Sequence, residues 1–392
     1  MHIALAGPCA PPDVADLLAP TASSMAKQLT GDRNIFVSDL AREFVRLGHE
    51  VSVGTITWET TEDQSLLEGP SFRLFTATGR PRARHKLLDL YGQERTQLRD
   101  FLWDVHADVV NAHWTYEFEL AAQDSGLPHF TTAHDAPVTI LRQTRHWYRA
   151  ARLLIAAGAS RRVSALSCVS PYLAARWKRE MAFRGSIEVI PNSIPSDVVL
   201  LPRQPNETPT ILDVASEGRL KNVPGLLRAF ALVRKRVPDA QLRLAGPGLG
   251  PESRTATWAA SQGLAIGVTF LGVVSRDRLA QEYSSAWVMA HGSLEEACPI
   301  SILEALGAGL PVVGGEASGG VPFVLDNGRV GRLCDVTDPV QFGGVLTEMV
   351  ASGPPANPGG ARTYVENNFA AEVVAKKYLS WYARGTDQRA RR

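Results

Sequence analysis

Two glutamates in the last third of the chain, Glu296 and Glu304, stand with seven residues between them. A polar approach gives way to Pro299 and then to apolar residues at helical spacing. Proline is well tolerated where a helix begins, so we expect Glu296 in a loop and Glu304 about one and a half turns inside the helix. The first N–H groups of that helix, on Ile300 and Ser301, could then bind an anion between two carboxylates that accept hydrogen bonds from hydroxyl groups.

The residues that follow distinguish this site from two solvated glutamates on a surface helix, which the pair alone would equally fit. Gly307-Ala-Gly-Leu-Pro-Val-Val-Gly-Gly315 indicates a helix end and a buried strand, and Ser318-Gly-Gly-Val-Pro322 a second glycine turn. In order, the E-x7-E, L-E-A, G-x-P-V-V and G-G-x-P elements resemble the donor-binding core of glycosyltransferase family 4. The resemblance implies a GT-B fold: two Rossmann-like α/β domains whose parallel sheets face each other across a cleft, with a C-terminal helix crossing back to the first domain.

The same resemblance implies a nucleotide-sugar donor and retention of the anomeric configuration. Under it Glu296 holds sugar hydroxyls and is a catalytic candidate, while Glu304 holds the donor ribose. Donor binding also extends to the residues between them, Cys298, Pro299, Ile300 and Ser301.

Lys221 opens a predicted helix directly after a predicted strand, in Lys221-Asn-Val-Pro-Gly-Leu-Leu-Arg-Ala-Phe230. A cation at this place could neutralise a diphosphate leaving group, which makes Lys221 both a catalytic and a donor-binding candidate. The family's lysine likewise stands nine residues before a phenylalanine, but its usual arginine five residues earlier is replaced by Ser216. Arg219 is the candidate for that second positive charge. A solvated lysine at a helix start is the alternative interpretation.

Three candidates come from the first half of the chain. Gly31 precedes the helix predicted over 34–47, where the family often has a glycine pair that approaches the donor phosphate; here Asp32 replaces the second glycine. His134 follows a predicted strand and resembles the family's histidine that faces the transferred sugar. His113 ends the preceding strand and is a candidate for acceptor binding. A histidine at a strand end is also often structural, and that interpretation stays open for both.

No Asp-x-Asp pair, the usual carboxylate clamp for a metal-bound diphosphate, occurs in the sequence. We therefore expect no divalent metal and no cofactor, with Lys221, Arg219 and helix N–H groups supplying the positive charge. The glycine loop 246–250 lacks the G-x-G-x-x-G spacing, which argues against a dinucleotide cofactor.

The alternation of short β-branched runs and amphipathic stretches predicts two α/β domains, as expected for 392 residues. Five prolines over 191–209 mark the boundary. We expect an acceptor-binding domain at 1–191, a linker at 192–207, a nucleotide-sugar domain at 208–360 and a C-terminal helix over 362–385. Helices are also predicted over 94–105, 116–124, 137–157, 171–182, 223–236, 252–261, 277–284 and 299–307. Strands are predicted over 2–6, 50–55, 72–75, 108–111, 129–132, 166–169, 187–190, 210–215, 240–245, 267–271, 286–290 and 311–314.

The composition limits the kinds of partner that the protein is expected to bind. The net charge of +1 does not suggest a nucleic-acid binder, and four scattered cysteines fit free thiols in a reducing cytoplasm. No apolar run is long enough to span a bilayer, and the N-terminus reads as a strand rather than a signal peptide. We expect a cytoplasmic protein, with peripheral contact at the inner membrane face open. Basic runs over 80–86 and 142–184 could dock an anionic membrane or a phosphorylated acceptor, or be ordinary solvated helix faces.

The predicted reaction is retaining transfer of a hexosyl group from a UDP- or GDP-sugar to an acceptor hydroxyl, in bacterial natural-product, glycolipid or polysaccharide biosynthesis. No residue stands out as a dedicated base. Two alternatives remain: a sugar-nucleotide epimerase of the same architecture, and a non-catalytic carbohydrate-binding partner of another transferase.

Overall fold

Two parallel sheets organise the chain, each in its own unit. The computed structural model describes residues 1–29, 35–57, 65–194, 202–354 and 359–390. Unit 1 comprises Met1–Ser193 and Ala371–Arg392, and unit 2 comprises Ile194–Ala370. The predicted boundary at 192–207 contains the point where one unit gives way to the next.

The sheet of unit 1 has the order β3-β4-β2-β1-β5-β6-β7-β8, and all neighbours are parallel except β3 and β4. The chain runs outwards from β1 to β2 on one side and later resumes at β5 on the other. Ligands of open α/β sheets bind at the carboxyl ends of the strands where this reversal occurs. The strands are β1 (His2–Ala6), β2 (Glu50–Thr57), β3 (Ser65–Glu68), β4 (Phe72–Thr78), β5 (Val109–His113), β6 (His129–Ala133), β7 (Ala165–Cys168) and β8 (Ser186–Val189).

One predicted helix of unit 1 is divided into two helices in the structure. A single helix was predicted over 137–157, but Arg145 adopts a left-handed conformation with φ 48° and ends the first of two helices. The side chain of His146 then accepts a hydrogen bond from the Tyr148 N–H and caps the second helix. The helices are α1 (Pro20–Ala26), α2 (Ile35–Arg46), α3 (Ala83–Leu88), α4 (Gly92–Asp104), α5 (Glu117–Ser125), α6 (Pro137–Thr144), α7 (Trp147–Ser160) and α8 (Pro171–Glu180).

The sheet of unit 2 is entirely parallel in the described residues, with the order β11-β10-β9-β12-β13-β14. Its reversal point lies between β9 and β12, because the chain places β10 and β11 on one side of β9 and then returns to the other. The strands are β9 (Thr210–Val214), β10 (Gln241–Ala245), β11 (Val268–Gly272), β12 (Val288–His291), β13 (Val312–Gly315) and β14 (Arg332–Cys334).

Helices cover this second sheet through apolar stripes. Leu226 and Phe230 pack with Phe342 and Leu346 in one buried cluster that also contains strand residues such as Ile211. This burial is the main stabilisation that holds the strand ends in place. The helices are α9 (Val223–Arg236), α10 (Arg254–Ser261), α11 (Arg276–Ser285), α12 (Ile300–Gly307), α13 (Val321–Val324), α14 (Pro339–Ala351) and α15 (Gly359–Phe369).

The C-terminal segment is two helices rather than the single one predicted over 362–385. The Phe369 carbonyl accepts a hydrogen bond from the Ile194 N–H, and Ala370 forms a parallel bridge with Ile194, so the chain leaves the helical path there. The second helix, α16 (Ala371–Ala390), belongs to unit 1 and packs on α2. Its Tyr382 hydroxyl donates to Asn111 Oδ1 at 2.9 Å. The predicted return of the chain to the first domain is thus made by α16.

Candidate active site

A cluster of charged residues lies at the reversal point of the second sheet. Asp213 lies in β9, and Lys221 ends a 3-10 turn (Arg219–Lys221) that follows this strand. His291 ends the adjacent strand β12, and Glu296 lies in the loop between β12 and α12. Two segments 75 residues apart therefore meet where a parallel sheet binds its ligand.

Lys221 and Glu296 form an ion pair, with Nζ donating to Oε1 at 2.5 Å. The two side chains are 30% and 13% exposed, so the pair is shielded from water without being sealed. Main-chain bonds fix both loops: the Leu294 N–H donates to the Leu220 carbonyl, and the Gly320 N–H donates to the Glu296 carbonyl, each at 2.7 Å.

Glu296 is held in its ionised form. Burial raises the pKa of this carboxyl, but His291 and the Lys221 ammonium outweigh burial and lower the pKa to about 2. The Nε2 atom of His291 lies 3.4 Å from Glu296 Oε1, an electrostatic contact rather than an aligned hydrogen bond. The carboxylate is therefore a hydrogen-bond acceptor throughout the physiological range.

Asp213 is a second carboxyl at this site, and the sequence prediction missed it. It is 1% exposed, and neither of its oxygens has a hydrogen-bond partner among the described residues. Burial raises its pKa to about 6, although His291 and Lys221 act in the opposite direction. The sequence feature that could have indicated Asp213 is the presence of an acidic residue within the apolar strand sequence Ile211-Leu-Asp-Val214. The nearby His291 and Ser293 are likewise buried with polar atoms that lack partners in the described chain.

Helix α12 begins one residue later than the predicted start at 299. Pro299 is the N-cap with an extended backbone, and Ile300 and Ser301 are the first two helical residues. The N–H groups at these positions have no acceptor within a helix, which leaves them able to bind an anion. Cys298 is 5% exposed just before the cap. Gly319 in the following glycine turn has φ 65°, a conformation that side chains disfavour.

Glu304 lies inside α12 and is 4% exposed. Its Oε2 accepts a hydrogen bond from the Tyr283 hydroxyl at 2.7 Å, and Arg276 Nη1 lies 3.7 Å from Oε1. The carboxylate is thus oriented by neighbours on α11.

Arg219 is exposed in the turn that ends at Lys221. Beside this turn, Gly246 has φ 135°, and a Cβ atom there would lie 1.9 Å from the Ala215 carbonyl oxygen. The glycine loop therefore packs directly against the segment after β9. The Glu217 N–H donates to the Pro247 carbonyl at 2.7 Å and joins the two loops.

In unit 1 the two predicted histidines are paired. His113 Nδ1 and His134 Nε2 lie 3.0 Å apart and share a hydrogen bond. Burial lowers the pKa of His134 to about 3 and that of His113 well below its usual value, so both rings are neutral at physiological pH. His113 is fully buried, and its Nε2 has no partner among the described residues. Direct acceptor contact by His113, as predicted, does not fit this burial.

Trp114 stacks against the histidine pair, and the sequence did not predict its part in the site. It follows β5 with φ 71°, a strained conformation for a bulky residue, and stacks on His134 with ring centroids 4.2 Å apart. The ring of Phe36 meets both histidines edge-on at about 5.5 Å. No sequence pattern predicts a tryptophan in the left-handed backbone conformation. The structure shows His134 fixed on three sides by aromatic rings.

The segment after His134 is anchored in the same unit. The Tyr116 hydroxyl donates to both Asp135 oxygens at 3.0 and 2.9 Å, and the Trp177 indole N–H donates to the Asp135 carbonyl. The Arg152 guanidinium lies 3.6 Å from the centre of the Tyr116 ring. The remaining predicted residue, Gly31, lies outside the described residues.

Two features are absent from the described residues. No group of three or more His, Cys, Asp or Glu side chains is placed to hold a metal ion. No helix of the described chain combines the length and hydropathy needed to cross a bilayer.

Two family models match the chain side by side. The model "Glycosyltransferase Family 4" matches residues 34–198, and "Glycosyl transferases group 1" matches residues 202–357. The chain belongs to glycosyltransferase family 4. The E-x7-E region lies within the second model, together with Lys221.

Curated relatives match part of the chain. D-inositol 3-phosphate glycosyltransferase of Mycolicibacterium vanbaalenii is 33% identical over 195 residues, which are 45% of this chain and 42% of that protein. The enzyme of that name from Corynebacterium diphtheriae is 32% identical over 180 residues, 43% of this chain and 42% of the relative. The chain thus spans less than half the length of the curated relatives it matches.

Solved structures confirm the GT-B fold. Sucrose-phosphate synthase from Thermosynechococcus elongatus superposes with a TM-score of 0.79 at 20% identity over 98% of both chains. Anabaena HepE in complex with UDP-glucose superposes with a TM-score of 0.69 at 16% identity over 98% of this chain and 100% of the other. At these identities the likeness concerns the fold of this family 4 member.

Proposed function

We propose that this family 4 chain transfers a sugar from a nucleoside-diphosphate sugar to an acceptor hydroxyl with retention of anomeric configuration. The observation that carries the proposal is the Lys221–Glu296 pair beside the start of α12, at the reversal point of the second sheet. A cation, an ionised carboxylate and free N–H groups meet there. This combination suits a ligand that carries both a diphosphate and hydroxyl groups.

The diphosphate leaves with growing negative charge. Lys221 and the N–H groups of Ile300 and Ser301 stabilise that charge, and exposed Arg219 adds a second cation from the same turn. In this scheme the fixed positive charges of the protein take the place of a divalent metal. Metal independence therefore belongs to the proposal.

The carboxylates bind the two sugars of the donor. Glu296 is ionised and accepts hydrogen bonds from hydroxyls of the transferred sugar. Glu304, oriented by Tyr283, accepts from the ribose hydroxyls. Cys298 and Pro299 shape the backbone between these two contacts.

In unit 1, neutral His134 hydrogen-bonds a sugar hydroxyl and orients the anomeric carbon. His113 acts as a positioning residue, because its Nδ1 atom fixes the tautomer and direction of the His134 ring. This assignment replaces its predicted role in acceptor binding.

The reaction needs no protein base in this scheme. The acceptor oxygen attacks the anomeric carbon on the face from which the diphosphate departs, so one carbon–oxygen bond forms as another breaks. The acceptor proton passes to the departing diphosphate oxygen. Both atoms lie on one face of the sugar, which yields retention.

UDP is the nucleotide we favour, with GDP second. The solved neighbour HepE was obtained with UDP-glucose, and a neighbour described as trehalose-6-phosphate from E. coli was obtained with UDP-2-fluoro glucose. The curated relatives are bacterial, which supports a bacterial natural-product, glycolipid or polysaccharide pathway. A cytoplasmic location remains a prediction.

Thermal stabilisation by UDP, GDP, ADP and TDP tests donor binding first, because a bound nucleotide raises the melting temperature by mass action. Nucleotide release from the matching sugar donors is then followed with a panel of hydroxyl acceptors. Acceptor-dependent release that Lys221→Ala abolishes supports transfer. An epimerised donor without release would identify an epimerase. Absence of any nucleotide-dependent shift would leave a non-catalytic carbohydrate-binding protein.

A further inference from the structure

Four large apolar side chains are exposed on the α3 and α7 side of unit 1. Leu88 is 85%, Leu90 50%, Trp147 58% and Leu154 75% exposed. Trp147 and Leu154 are seven residues apart on α7, and a spacing of two turns places them on one face of the helix. Isolated exposed leucines are ordinary, but a contiguous apolar face usually marks an interaction site.

A groove connects these helices. It has a volume of about 500 Å³ and is lined by Leu87 of α3, by Leu90 just after that helix, by Leu120 of α5, and by Leu154 and Ile155 of α7. Arg95, Gln123 and Arg162 also line it. The lining of the groove is therefore mainly apolar, with two arginines among its polar side chains.

The charges around this face are unequal in sign. Arg84, Arg161 and Arg162 are exposed, and none of them has a carboxylate within ion-pairing distance in the described residues. The nearby acidic residues are already engaged: Asp89 pairs with Arg80, and Asp124 pairs with Arg95.

Three other arginines of the second basic run are already paired with glutamates of the same unit. Arg152 is buried against Glu117, and Arg142 and Arg176 both pair with Glu180. The two basic runs therefore keep uncompensated positive charge at several exposed arginines, among them Arg84, Arg161 and Arg162.

We propose that this face docks on an anionic membrane surface. Leu88, Leu90, Trp147 and Leu154 enter the boundary between headgroups and acyl chains, and Arg84, Arg161 and Arg162 face lipid phosphates. Tryptophan and leucine beside arginine are the side chains that favour this boundary. The charges argue against a second copy of the chain as occupant, because a two-fold contact would bring like-charged arginines together.

The proposal concerns where the protein acts and is independent of its donor chemistry. The full chain is mixed with vesicles of phosphatidylcholine, with and without phosphatidylglycerol, and the bound fraction is measured by flotation at low and high salt. We expect binding only to the anionic vesicles, weakening as salt rises.

Two variants test the two parts of the surface. Leu154→Glu removes an apolar contact and adds a negative charge that the anionic lipids repel. The double variant Arg161→Glu and Arg162→Glu reverses the charge of two arginines beside the apolar face. Each variant should lower the fraction of protein bound to anionic vesicles at least about tenfold. Val340→Glu, at a valine 69% exposed on α14 of unit 2, is the matched control and should bind as the unmodified protein does.

Unchanged nucleotide-dependent thermal shifts in these variants establish that they are folded. Equal binding to neutral and anionic vesicles, or equal losses in the control, would overturn the proposal. A concentration-dependent dimer in sedimentation that Leu154→Glu dissolves would also overturn it and assign the face to a second copy.

Discussion

The ammonium of Lys221 donates to the carboxylate of Glu296 across 2.5 Å, although 74 residues lie between them in sequence. In the proposed reaction the diphosphate and Glu296 share this one cation. As the leaving group gains charge, the balance of attraction shifts from the carboxylate to the phosphate, which places the largest effect of Lys221 in the transition state.

Replacement of Lys221 by alanine should lower kcat by about 100-fold or more while changing KM far less. The physical reason is the loss of a cation that meets the developing charge. Steady-state kinetics with a UDP-sugar and its acceptor measure both parameters. Lys235→Ala, at an exposed lysine of helix α9, is the control. A normal kcat in Lys221→Ala would refute the leaving-group role.

Glu304→Ala should weaken binding of UDP at least about tenfold, because hydrogen bonds to a charged carboxylate are lost. Titration calorimetry with UDP and with 2′,3′-dideoxy-UDP tests the ribose assignment, since the variant should bind the two nucleotides with similar affinity. Tyr283→Phe removes the hydrogen bond to Glu304 but keeps the carboxylate. It should cost about 1 kcal/mol of stability and leave the preference for UDP in place. Equal loss of that preference in both variants would make Glu304 a structural residue.

Asp213→Asn should stabilise the protein at pH 7 and above. Burial raises the Asp213 pKa from its ordinary 3.8 to about 6, so the folded state binds the proton more tightly than the unfolded state does. The stability that this group contributes is therefore greatest below pH 4 and is lost as pH rises through about 6. At about 1.4 kcal/mol per pH unit, that loss is up to about 3 kcal/mol.

Urea denaturation of both proteins at pH 5 and pH 8 measures this effect. The comparison with the unmodified protein removes the contribution of buried His113 and His134, whose lowered pKa values make stability fall as pH decreases. The titratable neighbours of Asp213 are His291, Lys221 and Glu296, all present in both proteins. A stability difference that does not change between the two pH values would contradict the raised pKa. Stabilisation accompanied by lost activity would show that the carboxyl is kept for function.

Trp114→Gly should raise the pKa of His134 from about 3 towards 6.5, because removal of the stacked indole admits water to the imidazole. The titration is measured by NMR of the histidine ring protons. Trp114→Ala should raise the pKa similarly but be less stable than Trp114→Gly by about 1 kcal/mol, since only glycine accepts the φ of 71° without strain. An unmoved His134 pKa in both variants would show that the indole does not shield the ring.

Much of the fold followed from sequence because its strands are short, β-branched and bounded by turn residues. Every predicted strand overlaps an observed one, and α9 has the predicted bounds of 223–236. β3 and β14 were missed: β3 is a four-residue antiparallel edge strand, and β14 has three residues. Such short strands depend on pairing with a neighbour, which a local pattern does not reveal.

The breaks within predicted helices had tertiary causes. Periodicity continues through Arg145 and through Ala370, yet the first adopts a left-handed conformation and the second pairs with Ile194. A distant backbone partner leaves no trace in a local apolar pattern.

The candidate site likewise combines features that the sequence predicts with features that depend on tertiary contacts. Motif order located Glu296 and Lys221, because both lie at strand ends flanked by glycine and proline. Their direct pairing was not predictable, and neither was the hydrogen bond between His113 and His134, since each depends on which strands become neighbours. Asp213 could have been suspected from its charge in an apolar strand.

The hydrogen bond from the Gly320 N–H to the Glu296 carbonyl closes a stretch of chain whose length is thereby fixed. An inserted or deleted residue anywhere along it would pull the carboxylate away from Lys221 or break the closure. Changing which donors this protein accepts is therefore limited to replacing side chains within that stretch. Whole segments from homologues are better exchanged at other loops of the unit.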